Sequence, residues 1–143
     1  MILYCDTSAL IKRYVEEKGT ERVDALWDGC QGISTSVVAF AETISAFSRK
    51  LREGLLSRKE YTKTVKGFRD DYEHLILVPV DNNLNSVMES LFDRHPLRGF
   101  DAIHLASALV FTNSKEIDLV FVCFDHALNE AAMKEGLKVI NNN

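Results

Sequence analysis

The stretch Ile2-Leu3-Tyr4-Cys5-Asp6-Thr7-Ser8-Ala9-Leu10 puts four apolar residues in a row, stops them with an acid, and turns at once to residues that suit a helix. A short apolar run without alternation is the mark of a strand covered on both faces, as in parallel sheets. Residues 75–80, 119–124 and 137–140 repeat the pattern, and 32–35 form a weaker fifth run. Between them the spacing predicts helices over 8–15, 20–28, 37–52, 57–72, 83–93, 101–111 and 126–135. Ser57-Arg58-Lys59-Glu60 fits a capping box at the head of one of them, and Gly54 and Gly136 stand where helix ends need a left-handed residue. Strands alternating with helices predict an α/β fold: a three-layer α/β/α sandwich on a short parallel sheet of four to five strands.

The chain has 143 residues, no repeat and no Gly/Ser-rich linker, so residues 1–143 read as a single domain. A hydrophobic fraction of 46% and a charged fraction of 27% exclude a disordered chain. No basic, apolar leader and no membrane-length apolar run is visible, and Cys5, Cys30 and Cys123 form no CxxC. These features predict a cytoplasmic protein with reduced thiols and no membrane partner. His74, His95, His104 and His126 lack zinc-ligand spacing, and Asn141-Asn142-Asn143 reads as a frayed tail. The net charge of -4 argues against a plain polybasic nucleic-acid binder. That average hides a division. Residues 49–69 carry eight cations against Glu53 and Glu60, a net +6, which leaves -10 for the rest of the chain.

In parallel α/β sheets ligands bind beyond the carboxyl ends of the strands, so the acids there matter most. Asp6 directly follows the first apolar run and Asp125 follows Phe121-Val122-Cys123-Phe124. Each taken alone reads first as a helix N-cap. Glu42 is the only charge between Val37 and Phe47, which is odd for a solvated helix face, and a buried carboxylate is unfavourable unless paired or metal-bound. Asp101 is the only carboxylate between Leu97 and Ser114 and could also cap a helix. His104, one turn later among apolar residues, reads as a satisfied core histidine rather than a catalytic group. Four carboxylates converging at one sheet edge would repel one another, and a hard divalent cation with oxygen ligands relieves that repulsion.

These residues resemble the motifs of PIN-domain proteins. Residues 2–10 are similar to the first motif, Glu42 in its apolar helix to the second acid, and Arg98-Gly99-Phe100-Asp101-Ala102-Ile103-His104-Leu105-Ala106-Ser107-Ala108 to the third and most specific motif. Phe121 to Asp125, with Ala127-Leu128 and Ala131-Ala132, resembles the fourth. The likeness covers nearly the whole chain, and its small size resembles the VapC toxins of toxin–antitoxin pairs. The resemblance implies a Mg2+-dependent endoribonuclease, with Mn2+ as a substitute, that is dimeric and inhibited by a small antitoxin. It assigns Asp6, Glu42, Asp101 and Asp125 to the acidic cluster. Asp6 and Asp101 would anchor the principal ion, Glu42 would orient or deprotonate the attacking water, and Asp125 would complete the shell or help a second ion. Ser8 would support the acids or cap a helix. One departure stands out: many relatives carry Ser or Thr two residues before the fourth acid, where this chain has Cys123, a weaker hydrogen-bond partner.

Beside such a site the basic window becomes a candidate RNA-contacting arm, with Lys59 and Lys63 foremost and Arg98 as a second point of phosphate contact. Interleaved Tyr61, Phe68 and Tyr72 read as packing residues of a hairpin or an interface. Rival chemistries lack their residues. A haloacid-dehalogenase-like phosphatase needs a second Asp where Ser8 stands, a receiver domain needs a Lys after the last strand, and neither GxxxxGK nor GxGxxG occurs. A PIN nuclease of RNA maturation and a non-catalytic binding module remain as alternatives.

Overall fold

The computed structural model describes residues 1–113 and 116–140, so the expected tail at Asn141–Asn143 lies outside the described residues. Strand β1 (Ile2–Cys5) pairs with β2 (Gly32–Ser36) on one side and β4 (Leu119–Val122) on the other; β3 (Ile76–Val78) extends the sheet beyond β2 and β5 (Lys138–Val139) beyond β4. Every pairing is parallel and the order is β3-β2-β1-β4-β5. The chain builds outward from β1 in one direction, then returns to build outward in the other. The crevice between β1 and β4 is therefore the topological switch point, the place where such sheets bind ligands.

Seven α-helices cover the sheet among the described residues: α1 (Thr7–Tyr14), α2 (Thr20–Gly29), α3 (Ala39–Arg52), α4 (Arg58–Tyr72), α5 (Asn85–Arg94), α6 (Gly99–Asn113) and α7 (His126–Lys134). Alternation along β1 splits the core. Tyr4 points into a cluster with Leu91, Leu105, Phe121 and Leu128, where α5, α6 and α7 pack. Leu3 and Cys5 point the other way, to Ala9, Leu10, Ile33 and Ala39 of α1, β2 and α3. Tyr4 lies flat on Phe121, with ring centroids 5.5 Å apart and planes within 8°. Full burial of each such ring stabilises the fold by roughly 1.5–3 kcal/mol.

The weak apolar signal of 32–35 has a physical cause. Ser34, Thr35 and Ser36 are fully buried, yet Ser34 Oγ donates to the Leu3 carbonyl at 2.9 Å and Thr35 Oγ1 to that of Cys5 at 2.7 Å. A buried hydroxyl that has found an acceptor costs little. Strand ends are shorter than expected. β3 stops before Pro79, which has no N–H to offer the ladder. β4 stops at Val122, the partner of Cys5, so Cys123 and Phe124 lead the chain out to Asp125. α3 begins at Ala39 rather than 37, and Val37 N–H donates to the Val78 carbonyl at 3.1 Å, which ties the entry of the helix to β3. The expected helix over 83–93 opens with a 3-10 turn, Asn82–Leu84, capped by Asp81.

The capping box of α4 forms as read, with Glu60 N–H donating to Ser57 Oγ and Ser57 N–H to Glu60 Oε1. Gly54 and Gly136 adopt φ of 76° and 91°. α4 packs on α3 through aromatic residues: Phe68 is fully buried against Phe47 and Tyr14, and Tyr72 meets Phe40. Tyr61 instead lies beneath the Arg58 guanidinium. No helix among the described residues is long and apolar enough to cross a membrane.

Candidate active site

Asp6 leaves β1 as the N-cap of α1. Its backbone is extended, and its Oδ1 accepts from the Ala9 backbone N–H at 3.0 Å and from Ser8 Oγ at 2.7 Å. Asp125 does the same for α7, its Oδ1 accepting from Leu128 N–H at 2.8 Å. The capping and site readings thus hold together. In each acid Oδ1 serves the helix, and Oδ2 has no protein hydrogen bond among the described residues. Asp6 keeps only 6% exposure, whereas Asp125 is exposed.

Asp101 enters from α6. That helix starts at Gly99, two residues earlier than the spacing suggests, so Asp101 sits within the first turn. Its carboxylate is steadied by the Arg98 backbone N–H and by the Arg98 charge. Glu42 comes from the first turn of α3 and is half-buried. Its Oε1 accepts from Thr7 Oγ1 at 2.7 Å and faces His104 Nε2 at 2.8 Å.

Electrostatics reveal which acids feel one another. Burial, with a push from Asp101, drives the Asp6 carboxyl up to about 6, against the pull of His104, Ser8 and the Ala9 N–H. Burial and the charge of Asp125 raise Asp101. Burial also works on Glu42, but bonds from His104 and Thr7 outweigh it and hold Glu42 below the ordinary glutamate range. Asp101 thus feels Asp125 and in turn acts on Asp6, and Glu42 is tied to them through His104, which touches Glu42 and acts on Asp6 and Asp101 alike. Among the described residues no three His, Cys, Asp or Glu side chains are gathered tightly enough to hold an ion by themselves. An all-oxygen, partly hydrated arrangement is what Mg2+ accepts, since it keeps several waters and takes only one or two carboxylates directly. The open Oδ2 atoms of Asp6 and Asp125 fit that demand.

The remaining candidates fall into place unevenly. Ser8 bridges two motifs, because its Oγ donates to Asp6 and also accepts the Phe124 backbone N–H at 3.1 Å. Cys123 is buried and its Sγ donates to the Asp125 carbonyl at 3.6 Å, so the thiol steadies the backbone of the turn. Arg98 is exposed and adjoins Asp101. Lys59 and Lys63 are exposed on α4, and Lys63 lines a groove with Arg13, Tyr14 and Val15. That is the far end of α1 from Asp6, about 12 Å along an eight-residue helix. These lysines are not part of the acid pocket.

Sequence reading missed Thr7, Tyr4 and the reach of His104. Thr7 lies inside the first motif, but its partner is 35 residues away, and local pattern carries no signal for such a pair. Asn129 was also silent: its Nδ2 donates to the Cys123 carbonyl at 3.0 Å and helps shape the turn that presents Asp125.

The model of the PIN domain family matches residues 3–134. The chain belongs to the PIN domain family. Ribonuclease VapC49 of Mycobacterium tuberculosis is 30% identical over 138 residues, covering 96% of this chain and 94% of that protein. Ribonuclease VapC45 of another strain of the same species matches to the same extent, at 30% over 96% of this chain and 94% of its own. Among solved structures, FitAcB from Neisseria gonorrhoeae superimposes with a TM-score of 0.68 at 18% identity, covering 99% of this chain and 98% of that one. At that identity the likeness speaks for the fold alone.

Proposed function

We propose that this PIN domain is a divalent-metal-dependent endoribonuclease of the VapC type, the toxin of a toxin–antitoxin pair. The observation that carries the reading is the placement of Asp6 and Asp125 at the carboxyl ends of β1 and β4, on either side of the switch point, each with one carboxylate oxygen open. Supporting it are the two VapC ribonucleases that align over nearly the whole chain.

Asp6 and Asp101 would hold Mg2+, or Mn2+ in its place, with Asp125 completing the shell. When bound, such an ion lowers the pKa of water and stabilises charge on the leaving oxygen. The protein supplies the rest. Ser8 and the Ala9 N–H fix the Asp6 rotamer, so the carboxylate is preorganised before ligand arrives. Glu42 is kept ionised by His104 and Thr7 and offers Oε2 to accept a proton from the attacking water. In-line displacement leaves a 5′-phosphate and a 3′-hydroxyl, with no role for the RNA 2′-hydroxyl. Arg98, beside Asp101, neutralises a neighbouring phosphate, and a longer substrate extends to Lys59 and Lys63 on α4.

The protein acts in the cytoplasm as a homodimer held inactive by a small antitoxin. A solved neighbour of the same fold is VapBC2 from Rickettsia felis bound to a DNA fragment from their promoter. The test is inducible expression of the wild type and of Asp6→Asn, with RNA 5′ ends mapped. Growth arrest and a discrete cut in the wild type alone are expected. Cuts without arrest would point to RNA maturation, and neither would leave a binding module. In vitro, Asp101→Ala should lower Mg2+-dependent cleavage on the order of 100-fold or more while the domain stays folded.

A further inference from the structure

His104 is 2% exposed, and its ring is pinned at both nitrogens. Nε2 lies 2.8 Å from Glu42 Oε1, and Nδ1 lies 3.0 Å from the Tyr4 hydroxyl. An ionised carboxylate only accepts, so Nε2 donates to Glu42, while the Tyr4 hydroxyl holds the ring at Nδ1 on its other side. Tyr4 is itself immobile: fully buried, stacked on Phe121, and edge-on to the imidazole at 6.0 Å and 74°. Turning the ring over would set carbon against both partners.

Both donors to Glu42, His104 and Thr7, converge on the same oxygen, Oε1. Among the described residues no hydrogen bond is made to Oε2. A glutamate at the head of an otherwise uncharged helical turn has several rotamers open to it. Two donors on one oxygen select a single rotamer and leave the other oxygen for chemistry. We propose that His104 is a positioning residue for Glu42, with the Tyr4 hydroxyl fixing the orientation of the imidazole. The relay runs from β1 through α6 to α3, so the strand that presents Asp6 also sets the aim of the second acid. This rests on the nuclease reading above and adds to it a residue that acts without touching substrate.

A double-mutant cycle tests the idea. His104→Leu and Glu42→Gln are made singly and together, with His104→Gln and Tyr4→Phe as conservative variants. Cleavage of a single-stranded RNA with Mg2+ is measured beside Mn2+ affinity by titration. His104→Leu should lower kcat and Mn2+ affinity on the order of 10–100-fold in the wild-type background and have little effect on either when Glu42 is already Gln. His104→Gln, whose amide N–H can still reach Glu42, should recover most of the activity. Tyr4→Phe keeps the ring stack and should show a smaller drop in kcat with KM unchanged. Equal penalties in both Glu42 backgrounds would mean that His104 serves packing alone and would overturn the proposal, as would no penalty at all. A wild type that fails to cleave RNA overturns the nuclease reading instead. The hydrogen-bonded Nε2 proton of His104, followed by NMR in the wild type and in Glu42→Ala, which removes the acceptor, then decides the positioning role: its disappearance in the variant supports the relay, and an unchanged signal overturns it.

Discussion

Ser8 Oγ accepts the backbone N–H of Phe124 at 3.1 Å while donating to Asp6 Oδ1 at 2.7 Å. One hydroxyl thus ties the start of α1 to the exit of β4, across 116 residues, and holds the two ends of the acid pocket together.

Ser8→Ala should therefore do two things at once. It leaves the Phe124 N–H without its acceptor, which should cost about 1–3 kcal/mol in urea denaturation. It also removes a bond that favours ionised Asp6, so the acidic limb of the pH–rate profile should move to higher pH. An unmoved limb would separate Ser8 from the titration of Asp6.

The burial of Asp6 predicts a conflict between stability and function. Its folded carboxyl titrates near 6, above the roughly 3.9 of an unfolded chain. The folded state holds this proton more tightly, so the stabilisation is fully present below about pH 4 and is lost as pH rises through about 6. The gap corresponds to about 3 kcal/mol. Without metal, Asp6→Asn should be more stable than the wild type at pH 7, and the advantage should vanish at pH 4. Mg2+ should raise the wild-type midpoint and not that of the variant. Denaturation series across this pH range check both statements, and an advantage that does not change with pH would contradict them.

Charge on α4 should be felt in affinity rather than in the chemical step. Reversing Lys59 and Lys63 to Glu should weaken RNA binding and flatten the log–log salt dependence by about 0.7 for each phosphate no longer neutralised. Cleavage at saturating RNA should persist, because both lysines lie away from the acids. An unchanged slope would remove the arm from the binding surface.

Gly19 is a site where no side chain fits. Its φ is 102°, and an added Cβ would lie 2.8 Å from the Phe124 ring and 2.9 Å from Lys12 Cδ. Gly19→Ala should destabilise the domain by about 1–3 kcal/mol. Gly29 is the matched control: its φ is ordinary and an added Cβ would meet nothing within 4 Å, so Gly29→Ala should be close to neutral. Thermal or chemical melts of the two variants side by side check the contrast.

What the chain determines locally was open to reading. The apolar runs, the capping box at Ser57 and Glu60, the left-handed glycines and the N-cap acids all depend on neighbours within a turn or two, where steric and hydrogen-bonding preferences act. Glu42 was legible for the same reason, as a charge with no charged neighbour at helical spacing. The strand order was not. Whether β4 inserts beside β1 depends on how the helices fold back over the sheet, and that order alone brings Asp125 to Asp6. Nor did local pattern show that His104, which reads as a core histidine, reaches a carboxylate 62 residues away. A buried imidazole takes whatever partners the packed core provides, and here packing sets Tyr4 on one side of it and Glu42 on the other. Sequence alone supplied the acids and the elements that carry them; the tertiary structure decided which of their oxygens are held and which are left open, because hydrogen bonds between distant segments exist only once the layers have closed.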